Sequence, residues 1–138
     1  MRIGAMAMAA FAALTAFAAP AAAQQSCWMH NGSLVRMLAA GDARKILYEE
    51  PRPGLKAIGV KRGTVLFTGE RRGNSYSGLA RMFSTECPGA VTQYAVEGKV
   101  TSGQTRIVLR GRRELYRHCA PTDRFVEDTL VFTYVRKC

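Results

Sequence analysis

The sequence lacks the short motifs by which most enzymes and metal proteins are recognised. It contains no C-x-x-C pair, no H-E-x-x-H helix, no G-x-S-x-G nucleophile elbow and no glycine-rich phosphate loop. Its four cysteines are widely spaced, which is unlike the pattern of a zinc site. The sequence therefore gives no support to metal-dependent, nucleophilic or nucleotide-dependent chemistry, and we expect neither a cofactor nor enzyme activity.

Histidine and acidic residues are scarce, since the chain has two histidines and 10 Asp and Glu residues against 20 Lys and Arg residues. His30 and His118 each lie near a cysteine, but a catalytic Cys–His pair needs a reduced thiol. We interpret both histidines as ordinary polar residues near strand ends.

The adjacent carboxylates Glu49–Glu50 and Glu127–Asp128 point to opposite faces of a strand, so neither pair can act on one glycosidic bond. We expect Glu49 to pair with an arginine and Asp128 to order the start of the last strand.

Residues 1–23 have the features of a secretory signal peptide. Arg2 supplies a positive charge, an apolar run follows over residues 3–17, and Ala21–Ala23 fits the A-x-A cleavage pattern. A retained membrane anchor is the alternative, but the run is rich in alanine and poor in Leu, Ile and Val, which makes a weak membrane span. We therefore predict export to the periplasm or the medium, with a single mature domain over residues 24–138.

All four cysteines lie in the predicted mature chain. In an oxidising compartment an even number of cysteines indicates disulfide bonds, and four cysteines allow three connectivities, among which the sequence does not decide. We favour Cys87–Cys119 with Cys27–Cys138, since the second bond would join the two ends of the domain. Trp28, next to Cys27, either shields that bond or offers an aromatic platform to a ligand.

Short apolar segments bounded by glycine or proline recur along the mature chain, at the spacing typical of an all-β domain. Ile46 and Tyr48 alternate with polar residues, as do Ile107 and Leu109, so each pair faces one side of a strand. The prolines of Pro51–Gly54 lack the N–H that a central strand needs. Seven segments are predicted as strands: Ser33–Leu38, Lys45–Glu50, Thr64–Glu70, Ser75–Ser84, Val91–Glu97, Arg106–Arg110 and Thr129–Val135.

Seven to eight antiparallel strands in a domain of this size form either a small barrel or a two-sheet sandwich. Short hairpin connections, such as Ala40–Asp42 and Arg71–Asn74, favour the barrel. One helical alternative stays open, because Ser33 could cap a helix over Leu34–Ala40 with Gly41 beyond its end. That segment would be the one helix of an otherwise all-β domain.

Six arginines stand where strand alternation or a hairpin tip would expose them. Guanidinium groups fork onto phosphate and carboxylate oxygens, so such a group could form an anion-binding face. A generally solvated basic surface is the alternative, and the sequence does not decide between the two. The candidate anion-binding residues are Arg71, Arg72, Arg106, Arg110, Arg112 and Arg113.

The formal net charge of +10 indicates acidic partners. Export would separate the protein from most nucleic acid, so we expect no nucleic-acid partner despite the basic pI. Anionic lipid head groups, lipopolysaccharide, peptidoglycan carboxylates or an envelope protein lie within reach of an exported domain, and peripheral contact with a membrane is compatible with them. The sequence thus predicts an exported, non-catalytic binding module for an anionic envelope component or an envelope protein.

Two runs of sequence, Trp28–Ser33 and Tyr48–Gly54, resemble a family of small exported bacterial all-β domains of unassigned function. The resemblance continues through most of the mature chain, and it implies no catalytic residues. Similar domains at the ends of larger chains would suit an accessory or binding role. The further matching positions are Gly63–Phe67, Tyr76–Gly78, Cys87, Cys119 and Asp128–Phe132.

Two other classes of function remain as alternatives. An exported β domain with disulfides is loosely similar in layout to the periplasmic lysozyme inhibitors, which makes a protein-inhibitor module the first alternative. The binding-loop motifs of those inhibitors are absent, and a strongly basic surface does not suit a partner as basic as lysozyme. An enzyme with an unrecognised site is the second alternative.

Overall fold

Eight antiparallel strands form a closed barrel in the simple order of the sequence. The computed structural model describes residues 15–16 and 24–138. The strands are β1 Gln24–His30, β2 Ser33–Ala40, β3 Ala43–Glu50, β4 Val65–Arg72, β5 Ser75–Phe83, β6 Val91–Thr101, β7 Arg106–Arg117 and β8 Ala120–Lys137, and a short helix, α1 Pro53–Lys56, lies between β3 and β4. The expectation of an all-β fold is confirmed, and the arrangement is the barrel rather than the sandwich.

The predicted signal peptide over residues 1–23 lies outside the described residues, apart from Thr15 and Ala16. Its cleavage therefore stays a prediction. Within the described residues, no helix has the length and apolar character needed to cross a membrane.

The barrel is closed by hydrogen bonds between β1 and β8, and its interior is filled by the inward side chains of all eight strands. Alternation along each strand sends one set of residues inside, as Ile46 and Tyr48 of β3 and Ile107 and Leu109 of β7 demonstrate. Fully burying a large apolar side chain contributes about 1.5–3 kcal/mol. The most completely buried large apolar side chains are Phe67, Phe132, Ile46, Ile107, Leu109 and Val35.

The two ends of the barrel differ in their connections. The helix end carries the β1–β2 turn, the segment with α1, the loop of residues 84–90 and the β7–β8 turn. The termini end carries Gln24, Cys138 and the three remaining hairpin turns. Leu55 of α1 and Val60 are both buried, so the connection between β3 and β4 folds over the helix end.

Strand β1 and the full lengths of β7 and β8 differ from the sequence prediction. Cys27 and Trp28 are consecutive and both buried, because the register with β8 shifts between them, and such an irregularity breaks the alternation that marks a strand. Beyond Arg110, β7 and β8 pair mainly with each other through polar residues. No alternation of apolar residues therefore predicts that these strands continue. The helical alternative over Leu34–Ala40 is wrong, since β2 pairs with strands on both sides.

Both predicted disulfides are present. Cys27–Cys138 ties β1 to the residue that follows β8, with a Cα–Cα distance of 5.3 Å. Cys87–Cys119 ties the loop of residues 84–90 to the tip of the β7–β8 hairpin, with a Cα–Cα distance of 5.6 Å. Each bond therefore fixes one end of the barrel.

Candidate functional site

A polar cavity of about 120 Å³ opens at the helix end of the barrel. Its apolar wall is formed partly by Leu55 of α1, Leu66 of β4 and Leu130 of β8. The volume is well below the roughly 300–1,000 Å³ of a drug-sized ligand site, so a bound molecule would be compact. The polar residues that line this helix-end cavity are His30, Asn31, Ser33, Tyr48, Arg52, Arg81, Tyr94, Asp128 and Thr129.

Asp128 is the carboxylate of the helix-end cavity, and two inward side chains hold it. The Tyr94 hydroxyl donates a hydrogen bond of 2.5 Å to Oδ2 of Asp128, and Nε of Arg113 lies 3.4 Å from the same oxygen. Burial, together with the hydrogen bond to Asp128 and its charge, raises the pKa of Tyr94 well above its usual range. Tyr94 therefore stays a neutral donor, and Oδ1 of Asp128, which accepts a hydrogen bond of 3.1 Å from the backbone N–H of Thr129, retains a second lone pair for a ligand.

His30 lies at the end of β1 with 6% of its surface exposed. Its Nδ1 is 3.0 Å from the carbonyl oxygen of Val131, and because that oxygen can only accept, Nδ1 carries the hydrogen. The ring stacks on Phe132 with centroids 4.6 Å apart, and burial lowers the pKa of His30. The histidine is therefore a neutral imidazole whose Nε2 remains an acceptor.

Tyr48 brings a hydroxyl to the same cavity from β3. Burial raises the pKa of Tyr48 to about 12, against the opposing effect of the Arg52 guanidinium. The hydroxyl is therefore protonated at neutral pH. Among the described residues it has no hydrogen-bond partner, so it is free to bind a ligand.

Arg52 stands over the rim of the helix-end cavity. Its backbone N–H donates to Oγ of Ser33 at 2.9 Å, and Ser33 is itself 1% exposed, so the start of β2 fixes the backbone of this arginine. Among residues 24–138 the guanidinium forms no ion pair, although its positive charge acts on both His30 and Tyr48. The rim therefore carries a cation that a carboxylate or carbonyl group could reach.

Three of the six candidate anion-binding arginines share one groove on the outer surface. Arg72, Arg110 and Arg112 face outward and, with Lys99, line a groove of about 730 Å³ across β4 to β8. The groove is not purely basic, because Glu97 and Glu127 line it as well, as do serines and glycines. We call it the outer groove.

The other three candidates lie elsewhere, so the six arginines do not form one face. Arg71 faces inward at the termini end, where its guanidinium lies 5.7 Å from the centre of the Tyr76 ring. Arg113 faces inward at the helix end and contacts Asp128. Arg106 is exposed at the start of β7 but does not line the outer groove. Strand alternation explains the split, because adjacent residues such as Arg71 and Arg72 point to opposite faces.

The sequence interpretation of the carboxylates is correct in one case and wrong in the other. Glu49 pairs with arginine as expected, at 3.3 Å from Arg36 and 2.9 Å from Arg62. Asp128 does not order the start of the last strand, since β8 begins at Ala120 and the aspartate lies inside the barrel wall. Its inward position follows from the alternation with Leu130, which was a usable signal.

The sequence did not distinguish the buried histidine from the exposed one, and it did not indicate that the tyrosines of the helix-end cavity lie close together. His118 lies exposed in the β7–β8 turn, as expected for an ordinary polar residue, whereas His30 is buried and lines the cavity. The inward position of Tyr48 could be read from its alternation with Ile46. The proximity of Tyr48 to Tyr94 and Asp128 could not be predicted, because these residues come together only when the barrel closes.

The barrel is similar to that of afifavidin. The apo form of short afifavidin matches with a TM-score of 0.50 and 18% identity, over 86% of this chain and 100% of that chain. Intact apo afifavidin matches with a TM-score of 0.49 and 20% identity, over 83% and 82% of the two chains. The complex of short afifavidin with biotin matches with a TM-score of 0.47 and 18% identity, over 80% and 88%. At these identities the likeness is one of fold.

No family model matches the chain, and no curated protein matches it. The resemblance to small exported bacterial domains therefore stays a prediction, as does the loose similarity to lysozyme inhibitors.

Proposed function

We propose that this protein is an exported, non-catalytic binding module that holds a compact polar ligand in the helix-end cavity. The observation that carries the proposal is the convergence of Tyr48, His30 and Asp128 on one small cavity in the end of a rigid apolar barrel. Polar groups that converge on one cavity fix the orientation of a bound small molecule. A closed barrel holds these groups in place before the ligand arrives, which lowers the entropic cost of binding.

The arrangement suits a molecule with acceptors on one side and donors on the other. The Tyr48 hydroxyl and the Arg52 guanidinium offer hydrogens to a carbonyl or carboxylate group. Nε2 of His30 and the Asp128 carboxylate accept hydrogens from an amide or hydroxyl group. A compact ring that carries both kinds of group, such as a cyclic urea or lactam, fits this pattern and the volume of about 120 Å³.

The contacts of Asp128 favour binding over acid–base chemistry by the carboxylate. Asp128 is the one carboxylate among the residues that line the helix-end cavity, and it is already engaged by Tyr94 and Arg113. A general acid–base reaction needs a group that exchanges its proton with the substrate. An aspartate held by a tyrosine and an arginine serves better as a fixed hydrogen-bond acceptor.

The proposal is tested by titrating the mature domain with 2-imidazolidinone and with biotin, the ligand named in one of the afifavidin structures. Binding is followed by ligand-observed NMR. We expect at least one of the two to bind, and Asp128→Asn and Tyr48→Phe each to weaken that binding about tenfold or more. Glu127→Gln is the matched control, because Glu127 is the neighbour of Asp128 on the outer face. Equal binding by Asp128→Asn, Tyr48→Phe and the parent would contradict the proposal.

A second candidate function is the binding of an anionic envelope component, such as lipopolysaccharide or an acidic lipid head group. The observation that favours it is the outer groove, where Arg72, Arg110, Arg112 and Lys99 stand against two glutamates. None of these four cations except Arg72 forms an ion pair among the described residues, and Arg72 pairs with Glu70. The two functions use different surfaces, so they can be tested separately.

A further inference from the structure

A second pocket, of about 490 Å³, enters the barrel at the termini end, opposite the helix-end cavity. Its walls include inward side chains of β1, β2, β3, β4, β5 and β8, and the apolar core of the barrel separates it from the other end. We call it the termini-end pocket. Its volume falls within the roughly 300–1,000 Å³ of small-molecule sites.

Three aromatic residues, Trp28, Tyr76 and Tyr134, are among those that line this pocket. Trp28 and Tyr76 are 5% and 2% exposed, and Tyr134 meets Trp28 edge to face with ring centroids 5.4 Å apart. The indole N–H of Trp28 donates to Oγ of Ser26 at 2.8 Å, which fixes the ring plane. Tyr134 is 37% exposed and offers the accessible aromatic face of the pocket to a flat apolar ligand, whereas Trp28 and Tyr76 are buried.

The charge at the termini-end pocket has one sign. Arg44, Arg71 and Lys137 line it, and no Asp or Glu side chain does. Arg44 donates to the carbonyl oxygens of Gly41 and Ala43 at 2.7 and 2.8 Å. Arg71 donates to the carbonyl oxygen of Gly73 at 2.7 Å and to two side-chain amide oxygens.

These contacts position the two guanidinium groups without neutralising them. Every acceptor that they meet is uncharged, and among the described residues neither arginine forms an ion pair. A guanidinium that faces only neutral acceptors keeps its full charge for an incoming anion.

We propose that the termini-end pocket binds a small organic anion with a flat apolar body, such as an aromatic carboxylate. The ring lies against Tyr134, next to the edge-to-face contact with Trp28, and the anionic group lies between Arg71 and Arg44. This site is independent of the proposed ligand at the helix end, because the two openings share no lining residue.

The test uses 2-naphthoate as the probe and the neutral isostere 2-naphthalenemethanol for comparison. Affinity is measured by calorimetry, and position is read from the indole N–H resonance of Trp28, which is unambiguous because the chain has one tryptophan. We expect naphthoate to shift that resonance and to bind at least tenfold more tightly than the alcohol. Its affinity should fall as salt is added, because screening weakens the contact with the guanidinium groups.

Arg71 and Arg72 supply a matched pair of variants. Arg71→Gln should weaken naphthoate binding about tenfold, whereas Arg72→Gln should leave it unchanged, since Arg72 is exposed on the outer face and pairs with Glu70. Arg44→Gln repeats the test from a different strand, in case the first variant unfolds. Asp128→Asn, which alters the other end, should not affect naphthoate.

Three results would overturn the proposal. The first is a Trp28 resonance that does not move on addition of naphthoate. The second is binding of the alcohol that is as tight as binding of the acid. The third is unchanged affinity in both Arg71→Gln and Arg44→Gln when each variant retains the thermal unfolding transition of the parent.

Discussion

The Tyr94 hydroxyl lies 2.5 Å from Oδ2 of Asp128, and this hydrogen bond joins β6 to β8 across the inside of the barrel. Strand β7 lies between them, and the residue that pairs with Asp128 there is Gly111, where a Cβ atom would overlap the carbonyl oxygen of Ala95 on β6. In this part of the sheet the β6–β7 register covers only Glu97–Thr101, so β6 and β7 are not paired over the residues nearer the helix end. The tyrosine–aspartate bond thus connects two strands where the backbone ladder is incomplete.

Removal of this hydroxyl should destabilise the barrel. We expect Tyr94→Phe to lower the free energy of unfolding by about 1.5–3 kcal/mol, the range for a hydrogen bond to a charged group, as measured by urea denaturation. Tyr116→Phe is the control, because Tyr116 is 40% exposed and its hydroxyl can bond to water. If both variants unfold at the same urea concentration as the parent, the bond does not contribute to stability.

The pH dependence of stability should contain a contribution from His30. Burial lowers its pKa from the ordinary 6.5, although the Val131 carbonyl and Asp128 act in the opposite direction and Arg52 acts with burial. As the pH falls, the unfolded chain therefore binds a proton at this position before the folded chain does. The contribution of His30 to stability is complete above about pH 6.5 and declines as the pH falls towards the lower folded pKa.

This contribution is measured by urea denaturation between pH 7.5 and pH 5. One proton can change the free energy of unfolding by at most about 1.4 kcal/mol per pH unit. We expect His30→Asn to remove part of the decline below pH 6.5 and His118→Asn, which alters the exposed histidine, to retain it. Identical pH profiles of the parent and His30→Asn would contradict the assignment.

The alternation of apolar and polar residues and the positions of the cysteines were enough to predict most of the fold. Ile46 with Tyr48 and Ile107 with Leu109 gave the correct inward faces because a half-buried strand has a period of two. The pairing of Cys27 with Cys138 was favoured because the two residues stand at the ends of the domain. Strand β1 was missed because the register shift at Cys27–Trp28 buries two consecutive residues.

The candidate sites were less accessible to sequence reasoning. Tyr48, Tyr94 and Asp128 are far apart in the chain, and only closure of the barrel brings them to one cavity. The sequence prediction groups Arg113 with the outward arginines, although its position two residues after Gly111 and four after Leu109 places its side chain on the inward face. The face to which such a residue points follows from counting along the strand by twos. That count can be applied to Arg113 only once β7 is known to continue beyond Arg110.

The two disulfides should differ in their contribution to stability. In the chain-entropy account, the stabilisation grows with the length of the closed loop. The bond Cys27–Cys138 spans 111 residues and Cys87–Cys119 spans 32, so we expect losses of about 4.8 and 3.7 kcal/mol on double replacement by serine. Urea denaturation of the two double variants compares them directly, and a larger loss for Cys87→Ser with Cys119→Ser would contradict the ranking.

Glycine at position 98 should be essential to the barrel, while glycine at position 54 should not. A Cβ atom at Gly98 would overlap the carbonyl oxygen of Val108 on the neighbouring strand, whereas one at Gly54 would lie 3.1 Å from the flexible end of Arg52. We expect Gly98→Ala to lower the free energy of unfolding by about 1–3 kcal/mol. Gly54→Ala, within α1, should change it little or raise it by up to about 1 kcal/mol. Thermal unfolding of the two variants separates the outcomes, and equal effects would contradict the strand spacing.

The last prediction tests the outer groove as a surface for anionic lipid. Vesicles that contain an acidic phospholipid should bind the mature domain at low salt and release it as salt rises, because the Debye length falls from about 10 Å at 0.1 M to about 3 Å at 1 M. Each cation near an anionic surface contributes about 1 kcal/mol. The triple change Arg72→Gln, Arg110→Gln and Arg112→Gln should therefore reduce vesicle binding by about two orders of magnitude.

The control for that change is Arg106→Gln, because Arg106 is exposed on β7 but lies outside the outer groove. If vesicle binding depends only on the net charge of the protein, each arginine replaced should weaken it by about the same factor, wherever that arginine lies. A specific groove would lose little with Arg106→Gln and most of its binding with the triple change, while circular dichroism of all variants stays that of the parent. If Arg106→Gln weakens binding as much as the average groove arginine does, the basic residues form a solvated surface without a defined lipid site, and the two pockets inside the barrel are then the stronger candidates for specific recognition.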